Sequence, residues 1–454
     1  MALAFLVYWE FLSLWFWTDD FLWLEAATNP DLSDSLTDAF TYPRGATPYW
    51  RPLIDLHFFS MYRLFGMDGT AYHVLNVLIH SGTAALLGLL TLRLTRSGVT
   101  ATLAASLFAI SPTYATMVPW ASGATALYAG LFSVVTVLLF IDYLQRDRAY
   151  GNVLLAALAF AVALLAKEDA AALLGILALS ALVLRTPKRP HDLLDLGVTL
   201  LPFLVVWLAY ILPQLILVVG SSESPRFSYG WHALPNLFHG LAWLSLPWPE
   251  FLGDWVSPAR WAAFATFTSI AVLATLRRQL LVPSVYAATA IMLVPPAFFT
   301  GDFAPRWTYL ATMPWAVFIA VLLVAAYNWL SNQNRFVGLA AGVTVTAWLF
   351  VLLAGRTIDA HVWIPGLAGE YQEIERAITT GCADLRDDAN VYIFPLPIGG
   401  SGFREFAVPE LVRTIRSGAT VYMVGRSPTP PQPEPNDCGL AWNRVTGYTA
   451  VLIE

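Results

Sequence analysis

Along the first 355 residues, apolar runs alternate with turns that hold most of the polar and charged positions. The runs fall near 1–18, 71–92, 99–118, 124–144, 151–166, 170–184, 193–219, 259–276, 279–299, 307–330 and 336–354. About 20 apolar residues cross a bilayer core as one helix, so the pattern predicts about eleven transmembrane helices. Two longer polar intervals, 19–70 and 220–258, read as loops. The first run has no basic segment ahead of it and no small-residue cleavage site before Thr18-Asp19-Asp20. A signal peptide needs both, so the run reads as a retained span. Glu10 within it is tolerable only where it faces other helices.

From about 356 the pattern changes. Strand-like runs over 391–394, 419–424 and 448–453 alternate with helical patterns over Glu370 to Thr379 and Val408 to Ile415. That alternation predicts a small α/β module. The chain therefore divides into a membrane domain, 1–355, and a C-terminal module, 356–454. Ser427 to Pro435 reads as an extended polyproline-like loop. Gly399-Gly400-Ser401-Gly402 reads as a flexible turn, because no Walker or Rossmann spacing accompanies it.

Composition settles the class. Apolar residues make up 57% and charged residues 12%, against about 25% charged in soluble domains. With a mean hydropathy of +0.60, the chain has too little polar surface to cover a soluble core. The expected fold is an all-α polytopic membrane protein with a C-terminal α/β module, which excludes a cytosolic enzyme and a disordered chain. A net charge of −6 with only Lys167 and Lys188 as lysines leaves no basic surface for nucleic acid. Cationic residues are distributed unevenly over the turns. Arg93, Arg96, Arg146, Arg148, Arg185, Lys188, Arg189, Arg277, Arg278 and Arg335 fall on one side, and only Lys167 and Arg306 in short loops of the other. By the positive-inside rule the N-terminus is cytoplasmic, and loops 19–70 and 220–258 and the C-terminal module are extracytoplasmic. This describes a multi-pass protein of the plasma (inner) membrane. Two cysteines exclude a disulfide scaffold or a thiolate cluster. Cys382 and Cys438 both lie in the outward module, where a disulfide is permitted; the other reading is two unpaired residues in a small core.

Candidate chemistry gathers at the outward turns. Asp19 and Asp20 stand where the first span leaves the membrane; desolvation and mutual repulsion there raise a carboxyl pKa toward that of a general base. The same pair would also serve to cap the helix that follows. A divalent cation is the one cofactor such a pair would admit. Arg51, Lys167 beside Glu168 and Asp169, and Arg306 place three isolated cations at outward helix ends, suited either to a phosphate or to snorkelling at the interface. His73, Asn76 and His80 share one face of a span. The two histidines are about 10 Å apart along the axis, which suits packing and cavity hydrogen bonds better than metal ligation.

The order of these motifs resembles GT-C membrane glycosyltransferases. The acidic pair precedes Arg51-Pro52-Leu53, then Ala71-Tyr72-His73-Val74-Leu75-Asn76-Val77-Leu78-Ile79-His80. Trp120-Ala121-Ser122-Gly123, Leu164-Leu165-Ala166-Lys167-Glu168 and Arg306-Trp307-Thr308-Tyr309-Leu310 follow in family order over about 1–330. The branch most resembled is that of the protein O-mannosyltransferases and the TMTC-type transmembrane O-mannosyltransferases, with the α/β module in place of a tetratricopeptide tail. The family's His-Pro-x-His-x-Glu pattern is replaced by Ser111-Pro112-Thr113-Tyr114-Ala115-Thr116.

The resemblance implies a cavity for a polyprenyl-phosphate-linked sugar and no nucleotide sugar. An acid at the Asp19-Asp20 position would act as base on an acceptor hydroxyl. Transfer would invert the anomeric carbon, with Arg51, Lys167 and Arg306 stabilising the departing phosphate; His73, Asn76, His80, Glu168 and Tyr309 would bind substrate. The expected function is cell-envelope glycosylation, mannosyltransferase-like, of a protein, lipid or glycan hydroxyl. The competing expectation is a non-catalytic GT-C-like subunit that docks partner subunits through 356–454. A transporter is disfavoured by the lack of an internal repeat.

Overall fold

Two of the helices start where the sequence supplies a cap. The Asp68 carboxylate accepts from the Thr70 N–H at 3.0 Å, and Ser97 Oγ accepts from the Thr100 N–H at 3.2 Å, each satisfying an amide that the first turn leaves orphaned. The computed structural model describes residues 2–29, 31–41, 50–114, 116–146, 150–219, 228–247, 254–300, 304–359, 364–383, 389–394, 403–424, 431–443 and 447–453. In chain order the first helices are α1 (Ala2–Tyr8), α2 (Asp20–Ala27), α3 (Leu32–Thr41), α4 (Pro52–Phe65), α5 (Gly69–Thr95), α6 (Gly98–Ala109), α7 (Ala124–Arg146), α8 (Gly151–Ala166) and α9 (Leu173–Arg185). Then come α10 (Pro190–Val219), α11 (Ala233–Ser245), α12 (Val256–Leu276), α13 (Leu281–Met292), α14 (Val294–Ala297), α15 (Tyr309–Gln333), α16 (Arg335–Asp359), α17 (Ile364–Gly381) and α18 (Phe403–Ile415).

Six of the described helical segments are long and apolar enough to cross a membrane: Gly69–Thr95, Ala121–Gln145, Pro190–Gln214, Val256–Leu276, Pro305–Gln333 and Arg335–Gly355. The protein is thus a multi-pass membrane protein, but the expected set of about eleven spans is not reproduced. Helix α8 has 16 residues, which rise only about 24 Å at 1.5 Å each. The run 1–18 is helical only as far as Phe11, and Glu10 is exposed there rather than facing other helices. Beyond it Phe16 and Trp17 are buried in irregular chain. The run 279–299 divides between α13 and α14, where Pro295 and Pro296 take the first turn of the second helix. An apolar run reports burial, and burial does not require an unbroken helix.

More than half of the spanning stretches of α5, α7 and α15 is buried, whereas α10, α12 and α16 are mostly exposed. The first three therefore form the centre of the bundle and the others its rim. Gly130 lets α7 meet α15 closely, since a Cβ there would stand 2.6 Å from the Tyr309 ring. Interval 19–70 carries α2, α3 and α4, and interval 220–258 carries α11 and the start of α12.

The C-terminal sheet has the order β2-β1-β3-β4, from β1 (Asn390–Ile393), β2 (Thr420–Met423), β3 (Cys438–Asn443) and β4 (Gly447–Leu452). β1 runs parallel to both β2 and β3, and β3 pairs antiparallel with β4. α18 makes the crossover from β1 to β2, which parallel neighbours require. Strand β3 carries Gly439 and follows a proline-rich stretch, so no strand is legible there in the sequence. A disulfide joins Cys382, just past α17, to Cys438 at the start of β3 across a sequence separation of 56. Closing a loop of that length contributes about 4 kcal/mol by restricting the unfolded chain. Residues 399–402 and 427–430, read above as turn and extended loop, lie outside the described residues.

Candidate functional site

The acid pair is placed by two buried loops tied together. Thr18 takes a left-handed backbone, φ +51°, and turns the chain into α2. The Asp20 side chain is fully buried. Its Oδ2 accepts from the Trp17 N–H at 3.0 Å, and its Oδ1 from Ser122 N at 2.7 Å and Ser122 Oγ at 2.5 Å. Ser122 belongs to the tight turn Ala121–Gly123 that leads into α7. Only glycine fits at 123, because a Cβ there would fall 1.8 Å from the Met117 carbonyl oxygen. From α5, Asn76 Nδ2 donates to the Trp120 carbonyl at 2.7 Å, while the Trp120 ring N–H reaches the Trp17 carbonyl at 3.4 Å.

Burial pushes the Asp20 carboxyl up to about 7, against the pull of its three hydrogen bonds toward the ionised form. The unfolded carboxyl ionises near 3.8, so between these values the folded protein holds the additional proton. Stability contributed by Asp20 therefore falls as pH rises from about 4 to about 7. Asp20→Asn is expected to flatten that part of the profile. Unfolding midpoints of the purified protein at about pH 5 and about pH 8 check this; the same difference in wild type and variant would remove Asp20 as its source.

Asp19, by contrast, faces a cavity of about 140 Å³. Leu22 and Trp23 of α2 share its wall with Arg51, Met117, Trp120, Ser122 and Thr125, and the far side is closed by Lys167, Glu168, Phe299, Arg306 and Trp307. Arg51 is the residue before Pro52, which opens α4. Lys167 is extended, breaking α8 from the turn Glu168–Ala172. Arg51 grips Glu168 with both ends of its fork, Nε to Oε2 at 3.0 Å and Nη2 to Oε1 at 2.6 Å, and Lys167 Nζ lies 2.5 Å from Asp169 Oδ2. Burial raises the Glu168 carboxyl, but Arg51 and Lys167 outweigh it and hold Glu168 below the usual range. At Asp169 burial wins over Lys167 and the carboxyl is raised. Phe299 and Trp307 stack at 4.7 Å. Asn236 of α11 fixes that wall by donating to the carbonyls of Ala297 and Phe299 at 3.0 and 2.9 Å.

Four other residues singled out from the sequence do not line this cavity. His73 and Asn76 are buried on α5; the first sits against the Leu14–Trp15 backbone, and the second holds the Trp120 turn. His80 pairs Nδ1 with Tyr309 Oη at 3.0 Å and Nε2 with the Ala109 carbonyl at 3.2 Å, inside a cluster with Phe108 and Tyr114. Asn76 Nδ2 and both His80 ring nitrogens thus fasten helices and turns to one another. Both Asp20 oxygens accept N–H or O–H donors, and among the described residues no group of three or more His, Cys, Asp and Glu converges. Ser122, Phe299 and Trp307 are among the wall residues that are not candidates from the sequence, although Ser122 and Trp307 stand inside quoted motifs. A second cavity, about 380 Å³, lies among α5, α7, α9, α13 and α15 and is walled mostly by apolar side chains, with Ser133, Gln145, Ser180 and Ser284 among them.

No known protein family and no curated protein matches the sequence. Among solved structures, the chain shares the fold of GT-C membrane glycosyltransferases, at identities that speak to fold alone. ArnT from Cupriavidus metallidurans bound to undecaprenyl phosphate superposes with a TM-score of 0.54 at 15% identity, over 94% of this chain and 85% of that one. The oligosaccharyltransferase of Archaeoglobus fulgidus in complex with Zn and sulfate gives 0.51 at 12%, over 92% of this chain and 61% of that one.

Proposed function

We propose that the protein transfers a sugar from a polyprenyl-phosphate donor to a hydroxyl of a protein, lipid or glycan on the outer face of the plasma membrane. The observation that carries this reading is a single cavity lined by Asp19 together with Arg51, Lys167 and Arg306. The undecaprenyl phosphate bound to ArnT is consistent with a donor of that class. In the proposed step the Asp19 carboxylate takes the proton of the acceptor hydroxyl. The acceptor oxygen attacks the anomeric carbon as its bond to the phosphate breaks, so the configuration inverts in one displacement. Arg306 holds the departing phosphate, and Arg51 and Lys167 add positive field from within their ion pairs. The stacked Phe299 and Trp307 offer a flat apolar wall to the sugar ring.

The test is glycan transfer in membranes of a deletion strain complemented with wild type, read by mass spectrometry of surface proteins and lipids. A hexose- or pentose-sized mass lost on deletion and restored by wild type supports the reading; no lost mass counts against it. Arg306→Ala is expected to raise the donor KM by roughly 10- to 100-fold, the worth of one charge-assisted hydrogen bond, and an unchanged donor KM would remove it from the site. A second reading, a non-catalytic membrane subunit docking partners through 356–454, is favoured by the ion pairing of Arg51 and Lys167 and by the sequence Ser111 to Thr116. Full complementation by an Asp19→Asn variant would bring it forward.

A further inference from the structure

Helix α2 begins at the acid pair, with Asp19 at its N-terminal cap position facing the cavity, yet it is only eight residues long. Isolated helices below about 12–15 residues are marginal, so its order comes from what packs on it. One side rests on α4 and the other on α18 of the C-terminal unit. Phe21, fully buried, meets Tyr371 of α17 with ring centroids 5.3 Å apart. One turn further along α2, Arg413 of α18 grips Glu25, Nε to Oε1 at 2.6 Å and Nη2 to Oε2 at 3.2 Å. The same guanidinium reaches Glu410 Oε1 at 3.1 Å. The C-terminal unit thus holds α2 at an apolar point beside the acids and at an ionic point near the helix end. All the residues that line the cavity precede residue 308, so the unit acts on it through α2.

We infer that the C-terminal unit is a clamp on the acid-bearing helix, with Tyr371 and Arg413 as positioning residues for Asp19. The inference rests on the reading of Asp19 as base. The ionic point is about a third exposed, 32% for each side chain, and exposed pairs contribute little to stability. Breaking it should therefore disturb the geometry of α2 without unfolding the protein. That separates positioning from scaffolding.

The experiment compares full-length wild type, Arg413→Ala, and the charge reversal Glu25→Arg/Arg413→Glu made with Glu410→Gln, so that the moved carboxylate does not face Glu410. Three quantities are read: amide hydrogen exchange over residues 20–27, the unfolding midpoint, and kcat and KM with polyprenyl-phosphate mannose as donor probe. Arg413→Ala is expected to speed exchange over α2 by about tenfold and to lower kcat by roughly 10- to 100-fold with donor KM unchanged. The midpoint should hold, and the reversal should restore both. Unchanged exchange in Arg413→Ala overturns the clamp whatever the activity. Faster exchange with unchanged kcat overturns its positioning role. Faster exchange in Arg413→Ala when the wild type transfers no mannose leaves the clamp standing and rejects mannose as the transferred sugar.

Discussion

If Asp19 is the proposed base, Asp19→Asn is expected to lower transfer by about 10²- to 10⁴-fold, the usual contribution of a general base, in a protein that folds as wild type does. The amide keeps the size of the carboxylate but cannot take a proton from the acceptor. Folding is expected to survive because Asp19 faces the cavity; the neighbouring Asp20 is buried and held by Trp17 and Ser122. The two adjacent acids therefore separate into different phenotypes. Asp19→Asn should act on kcat with an unchanged unfolding midpoint, and Asp20→Asn on the pH dependence of stability. Single-donor transfer rates and thermal unfolding on the same preparations check this. Wild-type kcat in Asp19→Asn would sink the base assignment.

The largest stability effect is expected at Arg51. Its guanidinium forms a two-pronged pair with Glu168, and the two side chains are only 12% and 15% exposed. Removing one partner of a buried pair leaves the other charged and unpaired, a loss of about 3–5 kcal/mol. Arg51→Ala should therefore unfold at much lower denaturant, and Arg51→Ala/Glu168→Ala should recover most of the loss, because no orphaned charge remains. The sign of the pH effect follows from the lowered Glu168 carboxyl. A group ionising lower when folded adds stability above its ordinary value, and that stability is lost as pH falls through the lowered one. Additive losses in the two single variants and the double would show that the pair is not coupled.

The sequence reading and the folded chain part at identifiable places. Asp19 stands where the first span ends, Arg51, Lys167 and Arg306 are isolated cations at outward turns with Glu168 beside Lys167, and all five line one cavity. His73, Asn76 and His80 share one polar face of a span, and Tyr309 belongs to the motif Arg306 to Leu310. A polar stripe says that buried groups need partners; it does not say whether a ligand or the protein's own backbone provides them. Here carbonyls at 109 and 120 and the Tyr309 hydroxyl do so for Asn76 and His80. Phe299 and Trp307 escaped notice because aromatic residues are common in this chain, with 18 Trp and 27 Phe, and composition does not mark which ones face a cavity.

Hydropathy by itself determined that this is a multi-pass helical membrane protein with a polar C-terminal part, since so apolar a chain has no soluble solution. The uneven arginines carry the expected orientation for the same reason: charge is costly in hydrocarbon wherever the chain goes next. Only tertiary structure decided which apolar runs are continuous helices, that Asp20 is buried while Asp19 faces a cavity, and that Arg51 meets Glu168 from 117 residues away. Only it placed α18 on α2, through an arginine and a glutamate 388 residues apart. Hydropathy is summed over neighbours in sequence, whereas hydrogen bonds and ion pairs depend on neighbours in space.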